Sequence, residues 1–223
     1  MAKRHEEKYL IDYRQYALLK AKAMQVLQPD SNGEWGSYLI TSLYYDDPMD
    51  TALLEKQDGL PVHTKFRVRT YDCRMDFVRL ERKVKQGVIT EKETARILAR
   101  DIALLGQPDC DLERFEGKAY DLAAQMQAAG LRPSVMVRYQ RDAFLFPGTD
   151  LRLTFDTNME AIAPDAESLF DPDCAGIPAL DGNTVIMEIK YGRYLPNFIR
   201  KLTTVPCQQL SVSKYALCRE IFR

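Results

Sequence analysis

The chain has 223 residues, of which 46% are hydrophobic and 28% charged, a composition typical of an ordinary globular protein. Its 31 basic and 32 acidic residues give a net charge of −1, so the overall charge gives no sign of a nucleic-acid or membrane partner. A basic site must therefore arise from local sorting of charge. The 5 cysteines are odd in number and lack C-x-x-C spacing, which indicates reduced thiols rather than a disulfide framework or a zinc site.

No targeting or membrane-spanning signal is found in this sequence. The first residues, MAKRHEEKYLI, carry charges where a secretory signal needs an apolar run, and no stretch approaches about 18 apolar residues. Internal repeats, low-complexity tracts and Gly/Ser-rich linkers are also absent. We therefore expect a single domain over 1–223, located in the cytoplasm and without direct insertion into a membrane.

The first half of the chain predicts mostly strands, with helices between them. In chain order we expect a strand over 4–11, a helix over 12–27, a strand over 37–47, a short helix from Pro48 to Lys56, and strands over 63–72 and 76–86 that form a hairpin. Thr90 and Glu93 match a capping box, which predicts a helix over 91–98.

The second half predicts a helix, a hairpin and a final strand followed by two helices. The expected elements are a helix over 112–129 that stops at Gly130, strands over 132–146 and 151–159, an irregular loop over 160–183, a strand over 184–192, and helices over 196–203 and 211–222. Mixed helices and antiparallel hairpins favour the α+β class.

The stretch KFRVRTY, residues 65–71, concentrates positive charge on one face of a strand. Side chains alternate across a strand, so Lys65, Arg67 and Arg69 share one face, while Phe66 and Val68 share the other. Neighbouring like charges repel, and a sheet tolerates them only where solvent, carboxylates or a bound anion neutralise them.

Other predicted strands repeat this pattern. In 76–86 one face carries Arg79, Glu81, Lys83 and Lys85, and further strands contribute Arg4, Glu6, Lys8, Arg138, Arg141, Arg152, Glu188 and Lys190. An exposed polar face would explain any single strand, but the repetition in a nearly neutral chain favours a polyanion site. A closed antiparallel sheet with its apolar face outward under helices would place these charges inside, where phosphate chains suit Arg and Lys.

Several motifs in register resemble one known family. The stretches RHEEKYLI, SLYYDD, KFRVRTY, RLERKVK, VRYQRDAF, LRLTFD, MEIKYG and SKYAL are similar to the VTC domain, the catalytic module of polyphosphate polymerases in the triphosphate tunnel metalloenzyme superfamily, which is related to the CYTH proteins. The resemblance covers nearly the whole chain. It implies an α+β fold with a closed antiparallel β-barrel, a tunnel lined by basic residues, and helices packed outside.

The resemblance also implies an activity and a set of site residues. The activity is transfer of the γ-phosphoryl group of ATP to a growing polyphosphate chain, with Mn²⁺ or Mg²⁺ as cofactor. The implied catalytic residues are Arg67, Arg69, Lys83, Arg141, Arg152 and Lys214; the implied substrate-binding residues are Lys8, Arg4, Lys85, Lys190 and Lys65; and the implied metal ligands are Glu188, Glu6 and Glu81. For each carboxylate, an ion pair with a neighbouring Arg or Lys is the alternative.

One departure distinguishes branches of the superfamily. The CYTH branch typically begins E-x-E-x-K, whereas this chain has Arg4, Glu6 and Lys8. A cation in place of the first carboxylate should weaken metal binding and strengthen phosphate binding there, which favours the polymerase branch. A tunnel-type triphosphatase or polyphosphatase, and a non-catalytic module that binds polyphosphate or inositol phosphates, remain as alternatives. The expected partners are ATP and polyphosphate, not nucleic acid, together with a membrane-protein partner encoded separately.

Overall fold

The computed structural model describes residues 5–87, 89–205, 208–209 and 211–223. Arg4 lies outside the described residues. The strands are β1 His5–Asp12, β2 Gln28–Pro29, β3 Ser37–Asp46, β4 Val62–Tyr71, β5 Val78–Gln86, β6 Ile89–Ile97, β7 Arg132–Leu145, β8 Arg152–Ile162, β9 Ile177–Pro178, β10 Thr184–Tyr191 and β11 Gln208–Gln209. The α-helices are α1 Tyr13–Val26, α2 Thr51–Gln57, α3 Lys118–Ala128, α4 Asn197–Leu202 and α5 Lys214–Arg219, and short 3₁₀ turns cover Ala99–Leu104, Leu112–Arg114, Ser168–Phe170 and Glu220–Phe222. The α+β class is confirmed.

The chain forms two compact units from interleaved segments. Unit 1 contains the residues up to Leu39 together with Tyr139–Met159 and Leu180–Val212, and unit 2 contains Ile40–Arg138, Glu160–Ala179 and Ser213–Arg223. Strands β3, β7 and β8 each contribute residues to both units. The expectation of one domain over 1–223 stays a prediction.

Unit 1 is an antiparallel sheet with helices on its apolar face. β10 pairs with β1 on one side and with β8 on the other. The register aligns two rows across these strands, namely Lys8, Glu188 and Thr154, and Glu6, Lys190 and Arg152. Alternate residues of the same strands point to the opposite face and form a buried core that includes Leu153, Phe155 and Met187 with Leu19 of α1 and Ile199 of α4. The polar and apolar faces are therefore separated by strand alternation alone.

Unit 2 has the same layered construction. β4 pairs antiparallel with β3 and with β5, and β5 pairs antiparallel with β6. Val68, Leu80 and Ile97 point to the apolar face, where they join Leu122 and Met126 of α3 in a second buried core. The cationic side chains of these strands thus lie on the face away from this core.

The predicted closure into a barrel is not found among the described residues. In the strand order, β11 is the terminal strand beyond β1 in unit 1, and β6 is the terminal strand beyond β5 in unit 2. In the part of the chain that the structure describes, neither terminal strand pairs with a further strand, so the sheet is open. Alternation predicts which face of a strand is apolar, but it carries no information on how distant edges pair.

Most predicted elements are present, but the helix over 91–98 is wrong. Residues Ile89–Ile97 form β6, which pairs along its length with β5. The capping-box match rests on two residues of this segment. Over its whole length the segment has the period of a strand, because one set of residues (Thr90, Lys92, Thr94 and Arg96) alternates with another (Glu91, Glu93, Ala95 and Ile97). Pairing with a neighbouring strand satisfied the backbone, so tertiary context overrode the local signal.

Several further differences concern the ends of helices. The helix expected over 112–129 divides into the 3₁₀ turn Leu112–Arg114 and α3, which stops before Gly130 at a positive φ of 61°. The helix expected from Pro48 begins at Thr51, and the last helix begins at Lys214 and continues as the 3₁₀ turn Glu220–Phe222. None of the helices in the described ranges has the length and apolar character needed to cross a bilayer.

Candidate functional site

Cations of three neighbouring strands form two rows across one face of unit 2. The register places Lys65, Lys83 and Lys92 opposite one another in the first row, and Arg69, Arg79 and Arg96 in the second. Like charges directly opposite across a sheet are destabilising, so this arrangement requires compensating negative charge. We name this set of six residues the cationic rows of unit 2.

Glu81 lies between the two rows and compensates part of this charge. It is opposite Arg67 and is only 2% exposed. Arg67 Nη2 lies 2.6 Å from Glu81 Oε2, and Lys92 Nζ lies 2.5 Å from Oε1. Burial alone would raise the pKa of Glu81, but the charges of Arg67, Arg69 and Lys92 lower it to about 2. Both oxygens of this ionised carboxylate are occupied by cations, which favours charge balancing over metal ligation.

Tyr44 connects the arginines of β4 with the last helix. Arg67 Nη1 donates to Tyr44 Oη at 2.9 Å, and the Tyr44 ring stacks on Tyr215 of α5 with a centroid distance of 5.1 Å. Burial would raise the pKa of Tyr44, but the positive charges of Arg67, Arg69 and Lys214 outweigh it, so the pKa is lowered. The predicted site residue Lys214 therefore acts on the same phenol as the two arginines.

The lysines of β4 and β5 lie on the same face. Lys65 Nζ donates to Ser213 Oγ at 2.9 Å and lies 5.5 Å from the centre of the Tyr215 ring. Ser213 is also the N-cap of α5, since its side chain accepts from the backbone of Ala216. Lys85 of β5 lies two residues further along that strand, opposite His63 of β4 and Thr90 of β6. Unit 2 thus brings together all of the site residues predicted on its strands, with Lys85 at the margin.

In unit 1 the candidate site is a chain of alternating charges. Glu188, which is 4% exposed, has Lys190 Nζ at 2.9 Å and Arg141 Nη2 at 3.8 Å. Lys190 also lies 3.9 Å from Glu6, whose other oxygen is 2.9 Å from Lys8 Nζ. The predicted residues Lys8, Glu6, Lys190, Glu188 and Arg141 are therefore neighbours on one face. We call this group the charge chain of unit 1.

Asp156 is a member of this surface that the sequence reasoning missed. Arg141 donates to both Asp156 oxygens, at 2.6 and 2.8 Å, in a bidentate pair. Arg152, two residues before Thr154, donates instead to Asp30 at 2.7 Å and to Tyr38. Alternation along LRLTFD puts Asp156 and Arg152 on one face, so a carboxylate beside the cations could have been predicted there. Two of the predicted phosphate-binding arginines are thus partly neutralised by buried carboxylates.

The sequence reasoning also missed three cations in unit 2. Lys92 and Arg96 lie in the segment whose pattern predicts a helix but which forms β6, and Arg79 lies on the predicted face, where the sequence gave it no role. Arg138 has a separate environment: it donates to Glu160 at 2.9 Å and to the carbonyl oxygens of Pro172 and Cys174.

Two carboxylates fit a divalent metal ion held together with phosphate. Glu6 and Glu188 lie on adjacent strands, and Lys190 contacts both. Within the described residues, no group of three or more His, Cys, Asp or Glu side chains could hold a metal ion. Mg²⁺ commonly binds to one or two carboxylates plus substrate phosphates, so Glu188 with Glu6 would be enough for a metal that arrives with its substrate. Glu81 is less suited, because each of its oxygens has a cation within 2.6 Å. One oxygen of Glu188 and one of Glu6 have their cation only at 3.8 and 3.9 Å.

Comparison with solved structures supports the fold. The PH1819 protein of Pyrococcus horikoshii OT3 has a TM-score of 0.52 and 11% identity, over 98% of this chain and 97% of its own. A Bacillus halodurans protein described as a "putative adenylate cyclase" has a TM-score of 0.52 and 15% identity, over 95% of each chain. At these identities the similarity shows the fold alone.

Family comparison extends over nearly the whole sequence. A comparison with curated proteins finds no match. The family model of the VTC domain matches residues 3–223, which include the strands that carry the cationic rows of unit 2 and the charge chain of unit 1. The chain therefore belongs to the VTC domain family.

Proposed function

We propose that this protein is a polyphosphate polymerase, which transfers the γ-phosphoryl group of ATP to the end of a polyphosphate chain. The observation that carries the proposal is the pair of cationic rows in unit 2, set in a chain whose net charge is −1. Rows of like charge require negative charge beside them, so they favour binding of a polyanion. Membership of the VTC domain family supports phosphate chains as that polyanion.

The reaction needs no nucleophilic side chain. An oxygen of the terminal phosphate of the chain attacks the γ-phosphorus of ATP, the bond from that phosphorus to the β,γ-bridging oxygen breaks, and ADP leaves. The chain is then longer by one phosphate. Because phosphoryl transfer depends mainly on alignment and charge stabilisation, the protein has to position and neutralise.

The arginines and lysines of unit 2 would supply this neutralisation in different ways. Arg67 and Arg69 carry planar guanidinium groups that can bind phosphoryl oxygens in a bidentate manner, while Lys83 and Lys92 act as point charges. The contacts of Arg67 with Tyr44 and Glu81 hold its guanidinium in one orientation before substrate binds. Such preorganised charge stabilises a developing anion without reorganisation during the reaction.

A divalent metal would bind at Glu188, with Glu6 beside it. Bound Mn²⁺ or Mg²⁺ screens the negative charge of the phosphates. Lys190 contacts both carboxylates, at 2.9 Å from Glu188 and 3.9 Å from Glu6. Glu188→Gln should therefore abolish turnover and leave binding of inorganic triphosphate largely intact.

The decisive experiment incubates the purified protein with ATP and Mn²⁺, then measures both polyphosphate on a gel and released phosphate. Chain growth that Glu188→Gln abolishes supports the proposal. The matched control is Glu7→Gln, because Glu7 is on the opposite face of β1, where it accepts from Tyr9 and Tyr191. This control should keep full activity.

Three other outcomes would replace the proposal. Phosphate release without chain growth identifies a hydrolase. Binding of triphosphate without any turnover identifies a binding module. Absence of chain growth together with unchanged nucleotide binding by Arg67→Ala removes the proposed role of unit 2. A cytoplasmic location and a separately encoded membrane-protein partner stay predictions.

A further inference from the structure

Thr154 is a buried hydroxyl on the charged face of unit 1. Its neighbours Leu153 and Phe155 point into the apolar core, so alternation directs Thr154 to the opposite face. There it lies in the same cross-strand row as Glu188 and Lys8. It therefore belongs to the surface that carries the charge chain of unit 1, although the sequence reasoning gave it no role.

The hydroxyl of Thr154 has no hydrogen-bond partner within the described residues. The residue is 3% exposed, and its Oγ1 atom is buried without a donor or acceptor. Buried polar atoms are nearly always paired, because an unpaired one loses its hydrogen bonds to water and gains none in the protein, which costs free energy. Valine has almost the same shape and would avoid this cost, so the hydroxyl at this position calls for an explanation.

We propose that Thr154 Oγ1 donates a hydrogen bond to a phosphate oxygen of the substrate in unit 1. The inference deepens the proposed function and rests on it. The groups around Thr154 identify the ligand class, because Lys8 and Lys190 attract an anion while a hydroxyl can donate to one of its oxygens. Phosphate offers several acceptor oxygens at once, so one phosphate group can serve an ammonium and the hydroxyl together.

A neutral donor suits this position better than a third cation. Glu188, directly opposite Thr154, already has Lys190 at 2.9 Å and Arg141 at 3.8 Å. A further positive charge would compete for the same carboxylate and weaken its capacity to hold a metal. The hydroxyl adds a contact to phosphate and leaves the charge of Glu188 unchanged. Its stiff χ1 angle also keeps the donor in place.

The test separates ligand binding from stability with three variants. Thr154→Val removes the hydroxyl and keeps the shape, and Thr154→Ser keeps the hydroxyl and removes the methyl group. Tyr45→Phe is the matched control, because Tyr45 Oη is also buried without a partner but belongs to the apolar core of unit 2. For each variant, the dissociation constant for inorganic triphosphate is measured by calorimetry and the melting temperature by circular dichroism.

We expect Thr154→Val to weaken triphosphate binding about tenfold, the loss typical of one hydrogen bond to a charged acceptor, while its melting temperature without ligand stays equal or rises. Thr154→Ser should bind within about threefold of the wild type, and Tyr45→Phe should bind like the wild type. Unchanged binding by Thr154→Val would overturn the inference. A lower melting temperature of Thr154→Val without ligand would also overturn it, since the hydroxyl would then be bonded within the protein.

The same experiment distinguishes this inference from the proposed function. If the wild type binds triphosphate and forms no chains, the proposed polymerase activity is wrong, but the proposed role of Thr154 in phosphate binding is unaffected. If the wild type forms chains and Thr154→Val binds normally, only the inference about Thr154 fails. If the wild type binds no triphosphate, both fail.

Discussion

Replacement of Glu81 by glutamine tests whether the cationic rows of unit 2 depend on an internal counter-charge. Glu81 is 2% exposed and contacts Arg67 and Lys92. A carboxyl whose pKa falls from 4.5 to about 2 is favoured in its ionised form by about 3 kcal/mol, at about 1.4 kcal/mol per pKa unit. We therefore expect Glu81→Gln to lower the free energy of unfolding by about 3 kcal/mol at pH 7, which is within the range for breaking a buried ion pair.

The pH dependence of this effect has a definite sign. The pKa of Glu81 in the folded protein lies below its ordinary value, so the ionised carboxylate stabilises the fold fully above about pH 4.5, and this contribution is lost as the pH falls toward 2. The difference in unfolding free energy between wild type and Glu81→Gln should thus shrink by about 1 kcal/mol between pH 7 and pH 3.5. Inorganic triphosphate should restore much of the lost stability of the variant, because it supplies the missing negative charge.

Urea denaturation at both pH values, with and without triphosphate, measures these quantities. The control is Glu93→Gln, since Glu93 pairs with Arg82 on the other face of the same strands and is 37% exposed. That variant should lose no more than about 1 kcal/mol. A loss below about 1 kcal/mol for Glu81→Gln at pH 7, or no added stabilisation by triphosphate, would refute the reasoning.

Three further substitutions test other contacts of the two units. Lys92→Gln should weaken triphosphate binding about fivefold and reduce its salt dependence, as measured by calorimetry at two ionic strengths. Arg141→Lys cannot form the bidentate pair with Asp156, and we expect thermal denaturation to show a loss of about 2 kcal/mol. Tyr215→Phe removes the hydrogen bond from Tyr215 Oη to Asp46 Oδ2, 2.5 Å long, and urea denaturation should show a loss of about 1 to 3 kcal/mol in unfolding free energy. An unchanged melting temperature of Arg141→Lys, or an unchanged urea midpoint of Tyr215→Phe, would contradict these two expectations.

The charged face of each unit could be predicted from the sequence because it follows from a local rule. In KFRVRTY, alternation assigns Arg67 and Arg69 to one face and Phe66 and Val68 to the other, and the structure has them so. The same rule places Asp156 beside Arg152. That carboxylate could also have been predicted from the sequence, because a buried cation normally requires a counter-charge nearby.

The features that the sequence could not supply depend on distant pairing. Residues 89–97 carry a helix-start signal, and only their pairing with β5 makes them a strand. The cross-strand rows depend on register, which sets Lys83 opposite both Lys65 and Lys92. Closure of the sheet was implied by the family resemblance and agreed with the charge on one face, but that charge pattern is equally compatible with the open strand order that is found.

The interleaving of the two units affects how the protein can be dissected. Each unit is assembled from three separate stretches of sequence, so no contiguous fragment contains either one alone. A short truncation would remove the residues up to Leu39 from unit 1 or Ser213–Arg223 from unit 2, and a longer one would remove parts of both. In either case a fragment would report on misfolding rather than on function. Point substitutions are therefore the way to assign separate roles to the two sets of cations. For the same reason, a single crossover between two genes could not exchange one whole unit for that of a relative. We therefore expect the two units to be inherited together.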